Sequence, residues 1–441
     1  MASVVLIIPP GNYTAALGYD RYVKTPLEGV SALRGYLHRR GYEVRIIDCR
    51  AVRDPFLHVE NSLPADPIVV GFTTFFNSFA FIERCVPLVR RIVPKTIVVV
   101  GGPLATAAPI PFLEEAGVDI VVCGEGERAL LSIVEASQNT DALFNISGIL
   151  LRTDNGEIKD NRPGLIINDL DELPDLDWSY AAPRLISGQY DFMYSVGRGC
   201  NQHCTYCSRP LGTRRFRSPK KVRRELGHLC EVYGMTTMLL NDTDFLYDNP
   251  QIDTYTSVFS DLGVKWGCFT GPRELTPNLL EGLHTSGCVN LRVGIEAVDY
   301  KMVQQHRPDY SLPEMLRILD VLETCPLQKV TCYFLLGLPG QTESSLDMIV
   351  EEVLRHPRLV PRPFYLIPMP GTAVFQEAQR FGKVGSVSAY LRSLAGSSII
   401  GVSEELPHLA IATAERISAT FDKLNHIANT RNMAAKCLIS A

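Results

Sequence analysis

Cys200, Cys204 and Cys207 fall within one short stretch, Gly197-Arg198-Gly199-Cys200-Asn201-Gln202-His203-Cys204-Thr205-Tyr206-Cys207. Thiolates are soft ligands, and three of them at C-x-x-x-C-x-x-C spacing fit one tight loop around a soft metal centre. A structural zinc would want a fourth ligand, from a second pair or a well-placed His. His203 lies between two of the cysteines, where its ring would strain to reach the same metal. Three thiolates on a cubane of four irons leave one iron open to bind something else. The remaining cysteines of the twelve are scattered along the chain, so this group stands apart from core cysteines that merely coincide.

The surrounding pattern places that loop. Apolar strand-like runs at 192–196, 238–241, 265–269, 290–294, 330–336 and 364–367 alternate with helical spacing at 219–233, 278–286, 312–324 and 346–355. Such repetition predicts a partial (β/α) barrel, open on one side, with its chemistry at the C-terminal strand ends. Asp242, Asp244, Arg273 and Glu296 fall at those ends. Any one carboxylate there could equally be a helix cap. A basic run, Arg214, Arg215, Arg217, Lys220 and Lys221, reads as a solvated face, with contact to a cofactor phosphate or substrate carboxylate as the alternative.

The first part of the chain alternates too, with strands at 4–8, 44–47, 68–73, 97–100 and 118–122 and helices between them. That order predicts a doubly wound parallel sheet, whose ligands lie beyond the carboxyl ends of its strands. Four loops meet there. They carry Asn12; Thr73, Thr74, Phe75, Phe76 and Asn77; Gly101, Gly102 and Pro103; and Gly124, Glu125 and Gly126. Four on one edge favour a large ligand, and no G-x-G-x-x-G follows the first strand, which disfavours a dinucleotide. Residues 141–190 are rich in Asp, Pro and Gly and read as a linker with one hairpin, 148–151 against 164–167. Residues 373–441 read as helices able to cover the open barrel. They add no further C-x-x-C, which argues against auxiliary clusters.

With Tyr206 directly before its last cysteine, the loop resembles that of the radical S-adenosylmethionine superfamily. The first segment resembles the cobalamin-binding domain that precedes it in the cobalamin-dependent branch. Gly101-Gly102-Pro103, Gly124-Glu125-Gly126-Glu127, Gly294-Ile295-Glu296, Gly337-Leu338-Pro339-Gly340 and Pro370-Gly371-Thr372 follow in the order that the resemblance expects. It implies a cobalamin-binding domain over 1–140, a linker over 141–190, a radical domain over 191–372 and a helical region over 373–441. The implied cofactors are a [4Fe-4S] cluster on the three cysteines, S-adenosylmethionine and cobalamin. Asp242 or Asp244 would hold the amino group of S-adenosylmethionine, Arg273 its carboxylate, and Glu296 its ribose hydroxyls or amino group. The Tyr206 backbone would meet the adenine. Many cobalamin domains supply a His from D-x-H-x-x-G. Here His38 and His58 stand outside any such motif, so a cobalt face without a protein His is expected, lined by residues 73–77.

The resemblance favours C-methylation of a small-molecule substrate, with electrons from a flavodoxin or ferredoxin. Cyclisation, ring contraction or oxidation would use the same motifs, and a cobalamin or cluster sensor without turnover is the reading of another class. Composition agrees with a globular chain: 46% hydrophobic and 21% charged residues exclude a disordered or fibrous one. A net charge of −5 gives no electrostatic footprint for nucleic acid or an anionic membrane. Apolar runs fall short of the ~20 residues that a membrane span needs. The start enters a strand pattern at once, without a basic leader. A cytoplasmic protein with reduced thiols is expected.

Overall fold

The computed structural model describes residues 3–10, 25–50, 52–153, 155–189, 191–208, 212–396 and 409–439. Asn12 lies outside them. Two sheets carry the fold, the first mainly and the second wholly parallel.

The first runs β2-β1-β3-β4-β5-β6-β7, with β1 at Ser3–Ile8, β2 at Glu43–Asp48, β3 at Val69–Thr73, β4 at Ile97–Gly101, β5 at Ile120–Val122, β6 at Ile149–Arg152 and β7 at Ile158–Asp160. Strands β1 to β5 are parallel. The continuous apolar run of β1 is explained by burial on both faces: Val5 and Ile7 enter one core, Val4, Leu6 and Ile8 the other. Strand order reverses between β1 and β3, which opens a crevice at their carboxyl ends.

The expected hairpin is corrected. Strand β6 pairs antiparallel with β5 and with β7, not with residues 164–167. Gly148 and Gly164 misled because they do meet: a Cβ on Gly148 would stand 2.5 Å from Gly164 Cα. That contact is a close crossing of two backbones rather than a ladder.

The second sheet is a six-stranded parallel arc, β15-β14-β13-β12-β11-β8. Its members are β8 at Phe192–Tyr194, β11 at Thr237–Leu240, β12 at Lys265–Thr270, β13 at Cys288–Glu296, β14 at Lys329–Leu336 and β15 at Val360–Tyr365. β8 and β15 form its two ends, so the barrel is partial. Trp266, Cys268, Leu291, Val293, Cys332 and Phe334 face the helices and fill the core. Alternate residues face the lumen.

The tail differs from expectation. Helices Ala373–Arg380 and Val387–Ser393 send Phe375, Ala378, Tyr390 and Leu391 into a core of the first sheet, so they tie the two halves together. Helix Ala414–Ile439 flanks β15, where Phe421 stacks on Tyr365 with ring centroids 4.3 Å apart. No helix among the described residues is long and apolar enough to cross a membrane.

Candidate functional site

The cysteine loop leaves β9, Gly197–Arg198, and returns through β10, Arg215–Phe216, its antiparallel partner. The crossing is tight enough to demand glycine. A Cβ on Gly197 would stand 2.6 Å from Arg215 O, and one on Gly199, whose φ is +85°, would stand 2.2 Å from Thr213 O. Cys200 N then donates to Gly212 O at 3.0 Å, and Cys207 N to Cys204 O at 3.2 Å.

Thr205 anchors the loop's centre. Its N–H donates to His306 O at 3.1 Å, its carbonyl accepts from Val374 N at 3.2 Å, and its hydroxyl meets His306 Nδ1 at 2.8 Å. His306 Nε2 lies 2.9 Å from Pro339 O. A carbonyl can only accept, so Nε2 carries the proton and Nδ1 accepts from Thr205. Burial pushes the His306 pKa down, favouring this neutral form. The Gly337–Gly340 turn and the helix after Gly371 are thereby fastened to the cysteine loop.

All three cysteines open into a cavity of about 610 Å³ that Thr205, Gly371 and Thr372 also line. His203 also lines the cavity, with its ring Nδ1 3.2 Å from Asp309 Oδ1. No three His, Cys, Asp or Glu side chains among the described residues close on a single ion. Thiols spread around a cavity suit a cluster in which each holds a different iron.

The strand-end charges divide into two kinds. Asp242 accepts from Val196 N at 3.0 Å and Gly197 N at 2.8 Å, and burial raises its pKa to about 7. Asp244 accepts from Thr270 Oγ1 at 2.8 Å, Gly271 N at 3.1 Å and Gln202 Nε2. Both carboxylates are spent on holding the walls of the site.

Glu296 and Arg273 are different. Glu296 ends β13 with φ +67°, folds back over Gly294, and makes no hydrogen bond among the described residues. Burial pushes its pKa up, against the opposing charge of Arg307. Arg273 lies between the Tyr247 and Tyr310 rings, 4.9 Å from each centroid, and donates to Tyr247 Oη at 2.9 Å, with no carboxylate paired to it among the described residues.

Arg307 and Tyr310 complete this rim. The Arg307 guanidinium donates to Ile295 O at 3.1 Å and lies 3.9 Å from the Tyr310 centroid. Arg307 Nε and Tyr310 Oη are buried without partners. Tyr206 packs against the cluster of Ala297, Met302 and Leu338, and burial, then the Glu296 charge, push its phenol pKa up. An orphaned carboxylate, guanidinium N–H and phenol fit a zwitterionic ligand with hydroxyls, as S-adenosylmethionine is. Arg307, Tyr310, Gln202 and His306 were not read from the sequence, because none stands at a strand end.

On the first sheet, the Thr74 hydroxyl donates to Gly101 O and accepts from Ala105 N, both at 3.0 Å. Gly102, with φ +103°, brings its backbone against Thr74: a Cβ there would stand 2.9 Å from Thr74 N. Pro103 begins the next helix, and Gly124 N donates to Thr106 Oγ1 at 3.0 Å. Thr73, Phe75 and Phe76 are half-buried, and Asn77 is buried with no hydrogen bond among the described residues. An unsatisfied amide beside half-buried rings at the strand-order switch fits a large amide-bearing ligand such as cobalamin. His38 Nδ1 instead lies 2.8 Å from Asp177 Oδ2, and His58 lies in helix Pro55–Ser62.

Glu125, Gly126 and the basic run make protein contacts of their own. Glu125 is taken by protein, accepting from Arg198 at 2.8 Å, Arg215 at 2.9 Å and Ile167 N at 2.7 Å. Gly126 packs on Leu33, where a Cβ would meet Cδ2 at 3.2 Å. The basic run is largely no solvated face either. Arg215, Arg217 and Lys221 are buried, Arg217 pairing with Glu28 at 3.0 Å, while Lys220 is exposed.

A B12 binding domain model matches residues 21–134, and a Radical SAM superfamily model matches residues 194–353. The chain is similar to an anaerobic magnesium-protoporphyrin IX monomethyl ester cyclase from Cereibacter sphaeroides, 26% identical over 83% of this chain and 62% of that protein. It is also similar to a cytidylyl-2-hydroxyethylphosphonate methyltransferase from Streptomyces wedmorensis, 22% identical over 90% of this chain and 86% of that protein. Among solved structures, the methyltransferase TsrM from Kitasatospora setae, with cobalamin and [4Fe-4S] cluster bound, aligns with TM-score 0.68 and 17% identity over 88% of this chain and 80% of that one. OxsB with aqua-cobalamin and S-adenosylmethionine aligns with TM-score 0.70 and 14% identity over 96% of this chain and 61% of that one. The matched region spans less than two thirds of the cyclase and of OxsB.

Proposed function

We propose that this chain, which belongs to the cobalamin-dependent radical S-adenosylmethionine enzymes, transfers a methyl group to an unactivated carbon of a small molecule. One observation carries the reading. The three-cysteine cavity belongs to a partial barrel whose strand-end region carries Glu296, Arg273 and Arg307, the last with a buried unpartnered Nε, and Arg198 fastens that barrel to Glu125 of the first segment.

When bound, the reduced cluster and cobalamin supply, respectively, the electron that splits S-adenosylmethionine into methionine and a 5′-deoxyadenosyl radical and the methyl group that is passed on. Cys200, Cys204 and Cys207 would hold the cluster. Glu296 accepts from ribose hydroxyls or the ammonium group, and Arg273 faces the carboxylate. The Tyr206 backbone meets the adenine, as the resemblance implies. Asp242 and Asp244 keep the strand ends still. Thr73, Thr74, Phe75, Phe76 and Asn77 line the cobalamin face, where aromatic rings exclude water. Gly101, Gly102, Pro103 and Gly124 let backbone approach the macrocycle closely. Domain limits at 1–140, 141–190, 191–372 and 373–441, and a flavodoxin- or ferredoxin-type donor, belong to the same proposal.

Methyltransferases among the similar proteins support methylation. Similarity to a cyclase over 83% of the chain keeps cyclisation as the second reading. The test is turnover of the full chain, loaded with cluster and cobalamin, on candidate substrates with methyl-labelled S-adenosylmethionine. Label in the product supports methylation. Unlabelled product with 5′-deoxyadenosine supports cyclisation, and absence of 5′-deoxyadenosine under reducing conditions rejects both.

A further inference from the structure

We propose that the barrel lumen holds a planar aromatic small molecule bearing an acidic group, with Arg292 as the anion-binding residue and Phe269, Tyr333 and Phe364 as its stacking wall. This names the substrate class of the same site and rests on the function just proposed.

Strand alternation sets the faces. On β13, Leu291, Val293 and Ile295 are buried against helices, while Asn290, Arg292 and Gly294 are half-buried on the other face, and a register shift after Gly294 sets Glu296 level with Phe334. In-register neighbours in a parallel sheet share a face. Phe269 stands beside Arg292 and Arg292 beside Thr331; Gly294 stands beside Tyr333, Tyr333 beside Arg362, and Leu335 beside Phe364. A closed barrel fills its interior with layers of branched side chains. Here Phe269, Arg292, Tyr333 and Phe364 are only half-buried, so part of each side chain stays accessible.

The lumen's chemistry is specific. Tyr333 and Phe364 stack at 5.3 Å with an interplanar angle of 18°, and Phe269 lies 5.9 Å from Tyr333. That is a platform for a flat ring. The Arg292 guanidinium lies 5.0 Å from the Phe269 centroid and makes no hydrogen bond or ion pair among the described residues. Arg362 stands on the same face beside Tyr333 and has a partner of its own, so the anion-binding role falls to Arg292. Below Glu296, the charged strand residues on this face are all cations, in a chain of net charge −5. A guanidinium away from bulk water presents a planar fork that matches a carboxylate or phosphate.

Depth along the strands orients the ligand. Arg292 is level with Thr331 and Glu296 with Phe334, so Arg292 lies three residues of β14 below Glu296, about 10 Å deeper. Tyr333 is level with Gly294, between them. An acid held by Arg292 would therefore lie deep, the ring would stack above it, and the far edge would point to the mouth where Glu296 and the cysteine loop stand.

The experiment measures binding to the full chain, loaded with cluster and cobalamin but without reductant, so no turnover is needed. The probes are 2-naphthoate, 2-naphthyl phosphate, the neutral 2-naphthalenemethanol and the non-aromatic cyclohexanecarboxylate. At least one naphthyl acid should bind about tenfold or more tighter than the naphthyl alcohol and than cyclohexanecarboxylate. Whether 2-naphthoate or 2-naphthyl phosphate binds better identifies which acid the site takes. R292Q should erase the preference for acid over alcohol, and R292K should keep part of it; retained cluster and cobalamin absorbance reports that each variant is folded. Equal wild-type affinity for the acids and the alcohol, or an unchanged acid preference in R292Q, would overturn the proposal. Because this readout is independent of radical chemistry, its failure is distinct from failure of the methylation reading.

Discussion

Arg198 donates to Glu125 at 2.8 Å, and this contact joins the strand that feeds Cys200 to the loop that ends β5 of the first sheet. Arg198 also reaches Glu127 at 2.6 Å, and Arg215, from the returning strand, reaches Glu125 at 2.9 Å. The side chains of Glu125 and Glu127 are 3% and 5% exposed, so this is a buried joint between the two halves. Burial alone would push the Glu125 pKa up. Hydrogen bonds from Arg215, the Ile167 N–H and Arg198 outweigh that and hold it below its ordinary value.

Breaking one side of such a cluster leaves an uncompensated buried charge. E125Q and R198Q should each destabilise the chain by about 3–5 kcal/mol. The double variant should cost clearly less than the sum of the singles, since it removes both charges of the pair. Denaturant unfolding and cluster content measure this, and strict additivity would show that the pair is not a joint. The Glu125 contribution is present above the ordinary carboxylate pKa and is lost as pH falls through its lowered folded value.

Glu225 carries the opposite sign. It accepts from Tyr194 Oη at 2.8 Å, but its Oε1 is buried without a hydrogen bond, and burial raises its pKa from 4.5 to about 7. A raised carboxyl contributes stability that is present below 4.5 and lost as pH rises through 7. E225Q should therefore gain on wild type between those values and hold a constant lead above them. The gain across that window is on the order of 2–3 kcal/mol. Melting curves from pH 4.5 to 8.5 test it, and a pH-independent difference would contradict it.

The Gly199 backbone closes the cysteine loop, so G199A should act like loss of a cysteine. Its Cβ would meet Thr213 O at 2.2 Å at a φ of +85°, and positive φ alone costs a residue with a side chain roughly 1–2 kcal/mol. C200A, C204A, C207A and G199A should all lose cluster absorbance while cobalamin binding persists. G188A is the control, since Gly188 has φ +70° but open space around it. Equal damage from G188A would mean that strain, not the crossing, explains the loss.

Sequence alone made much of this legible, because strand-end positions follow from periodicity and the cysteine spacing is dense. Glu296 and Arg273 were marked that way, and they stand at or just after the carboxyl ends of their strands. Glu125, Asp242 and the basic run were legible as residues but not as roles. Whether a buried charge faces a ligand or another side chain depends on partners distant in sequence, as Arg198 is from Glu125. Arg307 and Tyr310 follow a helix rather than a strand, so strand-end reasoning passed over them. Gly148 and Gly164 show the same limit for backbone: composition marked both turns but not that they cross.

Cobalt spectroscopy tests the cobalamin face. His38 is engaged with Asp177, and His58 lies on a helix rather than on a strand-end loop. The cobalt(II) form should show no nitrogen splitting that disappears in H38A or H58A. Splitting lost in either variant would place a protein His on the metal. Splitting that survives both would assign the nitrogen to the cofactor's own base.

Glu296 and Asp242 look alike in the sequence, as carboxylates at the ends of barrel strands, yet the structure separates them. Asp242 accepts two backbone N–H groups from the strand entering the cysteine loop, whereas Glu296 accepts none. E296Q should keep the cluster but raise the S-adenosylmethionine concentration needed for half-maximal 5′-deoxyadenosine formation by about tenfold or more, the worth of one charged hydrogen bond of about 1.5–3 kcal/mol. D242N should leave that concentration nearly unchanged in whatever fraction stays folded. It should instead lower cluster content and thermal stability, because a carboxamide oriented to accept from one N–H turns its NH₂ group toward the other. Titration of S-adenosylmethionine against 5′-deoxyadenosine yield, normalised to iron content, separates the two effects. Similar shifts in both variants would mean that the two carboxylates share one role, and the division drawn at this rim would be wrong.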